Sequence, residues 1–273
     1  MPRDEPHQNL TDLVALCFIP LTLATIHFLA PTARQSLALD HSNPTLLTLW
    51  SSAFVHVNLA HLLSNLIGYF LAIIPTYLLY LHWNRRTLFW HSLALSLLLV
   101  PPLVNLGSFV YFTSQGVAGE TISRGFSGVV GAFAGMGLAS VVAFVAEVYG
   151  LRRAYWLAQA LVLAAGGVIL VGLVGGLEPL HAGLVALGIV LSVTGLVRQE
   201  PEPLRNLREH ATTLLVLGYA TAMSLVVVYM LFPSEVVTDG GVTNVVAHAV
   251  GIVVGSVLPG MARMVTGAAV LLE

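Results

Sequence analysis

Residues 125–146 read GFSGVVGAFAGMGLASVVAFVA, with Arg124 before them, Glu147 after them and no charge between. One helix needs roughly 17 to 25 residues to cross a bilayer, so the run is the right length for a single span. The same pattern recurs on both sides, because uncharged stretches also cover 13–33, 41–84, 87–119, 154–177, 179–197, 210–234 and 240–262. About eight transmembrane helices are therefore predicted. Within 41–84, Thr45 to Trp50 forms a lead-in segment and Pro75 a kink near the far end of one helix. The expected fold class is an all-α polytopic membrane protein, a single transmembrane domain over 1–273. Its longest polar break, 198–210 with Pro201 and Pro203, is a cytoplasmic loop too short to fold alone, and it sets six helices apart from a final pair.

Composition points the same way. Of 273 residues 57% are hydrophobic and only 9% charged, against about 25% charged in a soluble domain. A net charge of −2 gives nucleic acid no electrostatic footprint, so that partner is excluded and the lipid bilayer is the expected surrounding. A single cysteine, Cys17, rules out an internal disulfide and a thiolate metal cage. Loops kept in the cytoplasm are enriched in basic residues. With the N-terminus inside, Arg3, Arg85, Arg86, Arg152, Arg153, Arg198, Arg205, Arg208 and Arg263 all fall on the inner side, leaving Arg34 and Arg124 outside. Both termini are thus expected in the cytoplasm, and a prokaryotic cell membrane is the expected location. Met1 to Asn9 is too acidic for a signal-peptide start and no small-residue cleavage site follows, so the first apolar run is expected to be a retained helix.

A polar side chain inside a bilayer needs a partner or a purpose. The second span carries His56, His61 and Asn65, the fourth opens at Ser127, the sixth begins with His181, and the last carries His248. All belong to the outer ends of spans that run inward. Ser127, Gly131 and Gly135 recur every four residues and share a helix face, and His248, Gly251 and Gly255 share another. Either seam alone is equally a packing surface, and either a His or an Asn alone an interhelical hydrogen-bond partner. If the two seams meet, Ser127 comes within reach of an imidazole able to take its proton. Gly125 and Gly128 allow a tight turn and close substrate approach. The Ser127 N–H, unpaired at a helix start, and the side chains of His61 and Asn65 are donors for an oxyanion. His181 is the alternative base, but it sits at the water boundary, whereas His248 lies about a turn into its helix with glycines on its own face.

Taken together, His56, His61 and Asn65, then Gly125-Phe126-Ser127-Gly128, then Ala247-His248 with Gly251 and Gly255 resemble the rhomboid intramembrane serine proteases. The resemblance spans the second through the last helix. It implies a six-helix core, a Ser-His dyad without a third carboxylate, and transmembrane protein substrates cut near the outer leaflet. It also implies Ser127 as nucleophile, His248 as base, His61 and Asn65 as oxyanion donors and His56 as a neighbouring structural histidine, with no cofactor and no metal. Three features depart from the family pattern. The loop from Pro31 to Pro44 lacks the usual Trp-Arg pair, Gly131 stands where a tyrosine often stacks on the histidine, and an additional helix pair, roughly 154 to 197, falls between Ser127 and His248.

Other chemistries find less footing. There is no His-Glu-x-x-His pair for zinc, and Asp4, Asp12, Asp40 and Asp239 are read as lying in loops or at helix ends, not as an intramembrane dyad. Glu147 is read as an interfacial charge beside Arg152 and Arg153. The alternatives that stay open are an inactive rhomboid-like protein that binds membrane clients and a small-solute transporter. A transporter would be expected to carry broken helices paired between halves of the chain.

Overall fold

The computed structural model describes residues 6–29, 32–118, 121–198, 210–235, 237–238 and 241–270. Almost all of the expected loop 198–210 lies outside them, as do Arg3, Asp4, Glu120, Arg205, Arg208 and Asp239. In chain order the helices are α1 (Pro6–Leu29), α2 (Ala33–Ser36), α3 (Leu46–Ser51), α4 (Leu59–His82), α5 (Arg86–Ser114), α6 (Ser127–Tyr149), α7 (Leu151–Val174), α8 (Pro179–Val197), α9 (Ala211–Leu231) and α10 (Val245–Val270). Eight of these are long and apolar enough to cross a membrane. The protein is an all-α polytopic membrane protein. Thr45 to Trp50 is the lead-in expected: Thr45 and Thr48 form a reciprocal cap that starts α3, which passes into a single 3-10 turn at Ser52–Phe54. Two short antiparallel pairs complete the fold, β1 (Leu39–Asp40) with β2 (Ile122–Ser123) and β3 (Val237–Thr238) with β4 (Gly241–Val242).

Helix α6 is the centre. Its span is 78% buried, against 17% for α7 and 6% for α8, so the pair α7–α8 is attached to the outside of a bundle formed by α1, α4, α5, α6, α9 and α10. The reason lies in small residues. A Cβ on Gly135 would stand 2.1 Å from the Ile252 carbonyl, one on Gly251 2.0 Å from that of Gly128, and one on Gly255 2.0 Å from that of Ala132. The two predicted seams therefore interlock backbone to backbone. On another side of α6, Gly137 faces the hydroxyls of Ser224 on α9 and Thr76 on α4. The outer pair is not detached: Gly172 of α7 abuts the Phe232 carbonyl at the end of α9. Cys17 faces outward on α1.

Two charges find partners that the sequence reading did not give them. Asp12 lies in the second turn of α1, near the helix end as expected, but it is buried: Arg86 grips it with two nitrogens and the Tyr77 hydroxyl donates to it at 2.6 Å. Desolvation is offset by joining α1, α4 and α5 through one carboxylate, and no second acid faces it among the described residues. Glu147 pairs with Arg85 at 2.6 Å and Arg263 at 3.0 Å, not with Arg152 or Arg153. The chain reverses at Gly150, whose φ is +93°, and carries that Arg pair into α7 and away from the last turn of α6.

Candidate active site

Ser127 is the first residue of α6 and His248 lies in the first turn of α10. The interlocked backbones bring these two ends together, and Ser127 Oγ lies 2.8 Å from His248 Nε2. The other ring nitrogen, Nδ1, is 2.5 Å from the carbonyl oxygen of Leu231 at the end of α9. A carbonyl only accepts, so Nδ1 carries the hydrogen, and in the neutral ring Nε2 accepts from the Ser127 hydroxyl. Phe232 stands edge-on to the same ring with centroids 6.0 Å apart. The end of α9 thus orients the imidazole. Where a side chain at Gly131 would project stand the His248 carbonyl, Leu231 and Ile252, which accounts for the absence of a stacking ring at that position.

Gly125 turns the chain into α6 with φ +126°, a region that favours glycine. Space demands glycine as well, since a Cβ would stand 2.5 Å from His61 Cε1, 2.7 Å from His61 Nε2 and 3.6 Å from Asn65 Nδ2. His61 and Asn65 therefore share one face of α4 directly beside the Ser127 turn, and Asn65 Nδ2 is buried without a hydrogen-bond partner among the described residues. Gly128 also lines the cavity, but its open side meets Val104 and the Ala247 carbonyl. Gly128 thus also serves the contact of α6 with α5 and α10. His56 is buried, accepts the Phe126 N–H at 3.4 Å and lies edge-on to His61 at 5.2 Å. It lies three residues before α4 and so not within the second span, where the sequence had placed it, because the Asn58 cap starts that helix only at Leu59.

The turn is braced from outside α6. Gly125 N–H donates to the Ser52 carbonyl at 2.9 Å, and Asn105 Nδ2 donates to Ser52 Oγ at 2.8 Å and to the Leu49 carbonyl at 2.7 Å. Strand pairing of β1 with β2 ties the first loop to the same turn. There His41, buried against Phe109 and Phe112, lies 2.8 Å from Ser123 Oγ. Burial lowers the His41 pKa, with Asp40 opposing. Asn244 Nδ2 donates to Ser123 Oγ at 3.3 Å and Ser108 Oγ at 2.9 Å, while its Oδ1 caps α10 through the Ala247 N–H at 3.0 Å. One polar chain thus runs from the first loop to the residue before His248.

Ser127, His248, His61, Asn65 and Asn244 all line one cavity of about 880 Å³. His181 does not: it is exposed at the start of α8, 3.8 Å from Glu178. Of the two histidines weighed as base, the fold brings His248 to Ser127. Asn58 and Asn244 escaped the sequence reading although each bears an N-cap signature, a side-chain oxygen three residues before the amide it holds. His41 and the Leu231 carbonyl have no comparable local signal. No family model, curated protein or solved structure matches the chain.

Proposed function

We propose that this chain is an intramembrane serine endopeptidase, similar in kind to the rhomboid proteases, that cuts membrane-spanning protein segments near the outer leaflet. The observation that carries the reading is the 2.8 Å contact of Ser127 Oγ with His248 Nε2, the ring being held by Leu231 in the tautomer a base requires. In the reaction, Ser127 Oγ attacks the scissile carbonyl carbon as its proton passes to His248 Nε2. The resulting oxyanion has the Ser127 N–H, Asn65 Nδ2 and the His61 ring as available donors. The oxyanion then collapses, the C–N bond breaks, and the leaving nitrogen takes the proton from His248. Water repeats the sequence on the acyl-enzyme, giving up its proton to His248, and Ser127 recovers its hydrogen as the acid departs.

The orientation belongs to the same proposal. Asp12, Arg85, Arg86, Glu147 and Arg263 cluster at the end of the bundle opposite the dyad, and a basic end facing the cytoplasm leaves both termini inside and the dyad near the outer surface. The direct test is labelling with a fluorophosphonate in detergent. Wild type is expected to label and Ser127→Ala not to; an unlabelled wild type overturns the reading.

The base and the donors make two further predictions. His248→Ala is expected to lose both labelling and cleavage, while His181→Ala keeps both, measured side by side. Survival of activity in His248→Ala would mean that another group takes the proton. Removing one oxyanion donor typically costs about 100- to 1000-fold in turnover, so Asn65→Ala and His61→Ala are expected to lower kcat far more than they raise KM. Wild-type kcat in both variants would return these residues to helix packing.

A further inference from the structure

Arg124 lines the same cavity as Ser127, His248, His61 and Asn65, yet the chemistry above leaves it without a task. It sits half-buried between β2 and the Gly125 turn, and among the described residues no Asp or Glu lines the cavity with it. The described acids are engaged elsewhere: Asp12 with Arg86, Asp40 with Ser42, Glu147 with Arg85 and Arg263, Glu178 beside His181. Glu235 is exposed beyond the end of α9. The other arginine read as outer, Arg34, contacts His27 at 3.4 Å. Arg124 has no acidic partner among the described residues.

A guanidinium keeps its charge at any physiological pH. Drawn partly out of water in a cavity that Val104 and Leu231 also line, it loses hydration that an anion restores. Its planar fork fits a carboxylate with two parallel hydrogen bonds, and only Gly125 and Phe126 separate it from the nucleophile along the chain. A ligand held there would be fixed in register with Ser127 Oγ.

We infer that Arg124 is a specificity determinant that binds a carboxylate side chain of the substrate, an aspartate or glutamate close to the scissile bond. This rests on the proteolytic reading and narrows it to membrane segments that carry an acid where they meet the cavity. An anionic phospholipid offers similar chemistry, but Arg124 faces the cavity of the nucleophile, where the cleaved segment must lie, and so the peptide carboxylate is favoured.

The test uses the full chain in vesicles with single-span reporter substrates, moving one Asp through the residues flanking the cleavage site beside a matched Asn series. Rates are normalised to the fraction of Ser127 labelled by fluorophosphonate, so that misfolded protein drops out. A charge-assisted contact predicts one position where Asp exceeds Asn in kcat/KM by about 10- to 100-fold. Arg124→Gln is expected to bring that ratio near one, Arg124→Lys to keep part of it, and Arg124→Glu to transfer the preference to Lys at that position. An equal loss for Asp and Asn substrates in Arg124→Gln would overturn the inference. So would a loss that follows phosphatidylglycerol content in place of substrate charge, which would assign Arg124 to lipid. An unlabelled wild type would remove the proteolytic reading itself, a result distinct from any Asp-to-Asn ratio.

Discussion

Ser127→Ala is expected to abolish cleavage of a membrane-spanning reporter, a fall on the order of 10⁶-fold in kcat if the proposed chemistry follows that of serine hydrolases stripped of the nucleophile. The protein should nevertheless unfold near the wild-type temperature in detergent. The substitution removes one oxygen at the wall of a cavity, and the hydrogen bond lost to His248 is worth only about 1 kcal/mol. His248 keeps its bond to the Leu231 carbonyl and its contact with Phe232, so the ring stays in place without its partner. A gel assay of cleavage and a thermal unfolding curve on the same preparations check both halves. Cleavage at the wild-type rate by the alanine variant would leave the proteolytic reading without support.

Gly255→Leu carries the second large effect, on the fold first and on activity through it. Its Cβ would stand 2.0 Å from the Ala132 carbonyl oxygen and 2.5 Å from two further backbone atoms of that residue. Backbone cannot rotate aside as a side chain does, so α10 must move away from α6 and carry His248 with it. Overpacking of this kind costs about 1–3 kcal/mol, and more where nothing yields. Gly131→Leu, whose Cβ meets the His248 carbonyl at 3.0 Å, should fall between that variant and wild type. Gly260→Leu, on the same helix with nothing within 4 Å, is the control expected to match wild type. Similar unfolding temperatures for Gly255→Leu and Gly260→Leu would show that the two helices do not meet through their backbones.

The spans were open to a reading from sequence because lipid offers the backbone no hydrogen-bond partner, so a long uncharged run is forced into a helix whatever surrounds it. The two glycine seams were legible for a related reason: a four-residue spacing places residues on one face, and only small residues let faces touch. That much is local. Which face meets which is not, and here the packing of α6 against α10 decided that Ser127 finds His248 and leaves His181 exposed on the attached pair α7–α8. The same dependence explains Glu147, which has arginines nearby in sequence yet pairs with Arg85 and Arg263 from two other helices. Asp12 shows it again, buried against a residue of α5 although its neighbours in sequence offer no cation. The Leu231 carbonyl that orients His248 was beyond any sequence reading, since every residue carries the same acceptor and only the tertiary fold selects one. Sequence alone determined where the long apolar helices run, because hydropathy along the chain sets them. Tertiary structure alone decided which of their polar groups meet, because contacts between helices depend on the shape of both partners at once.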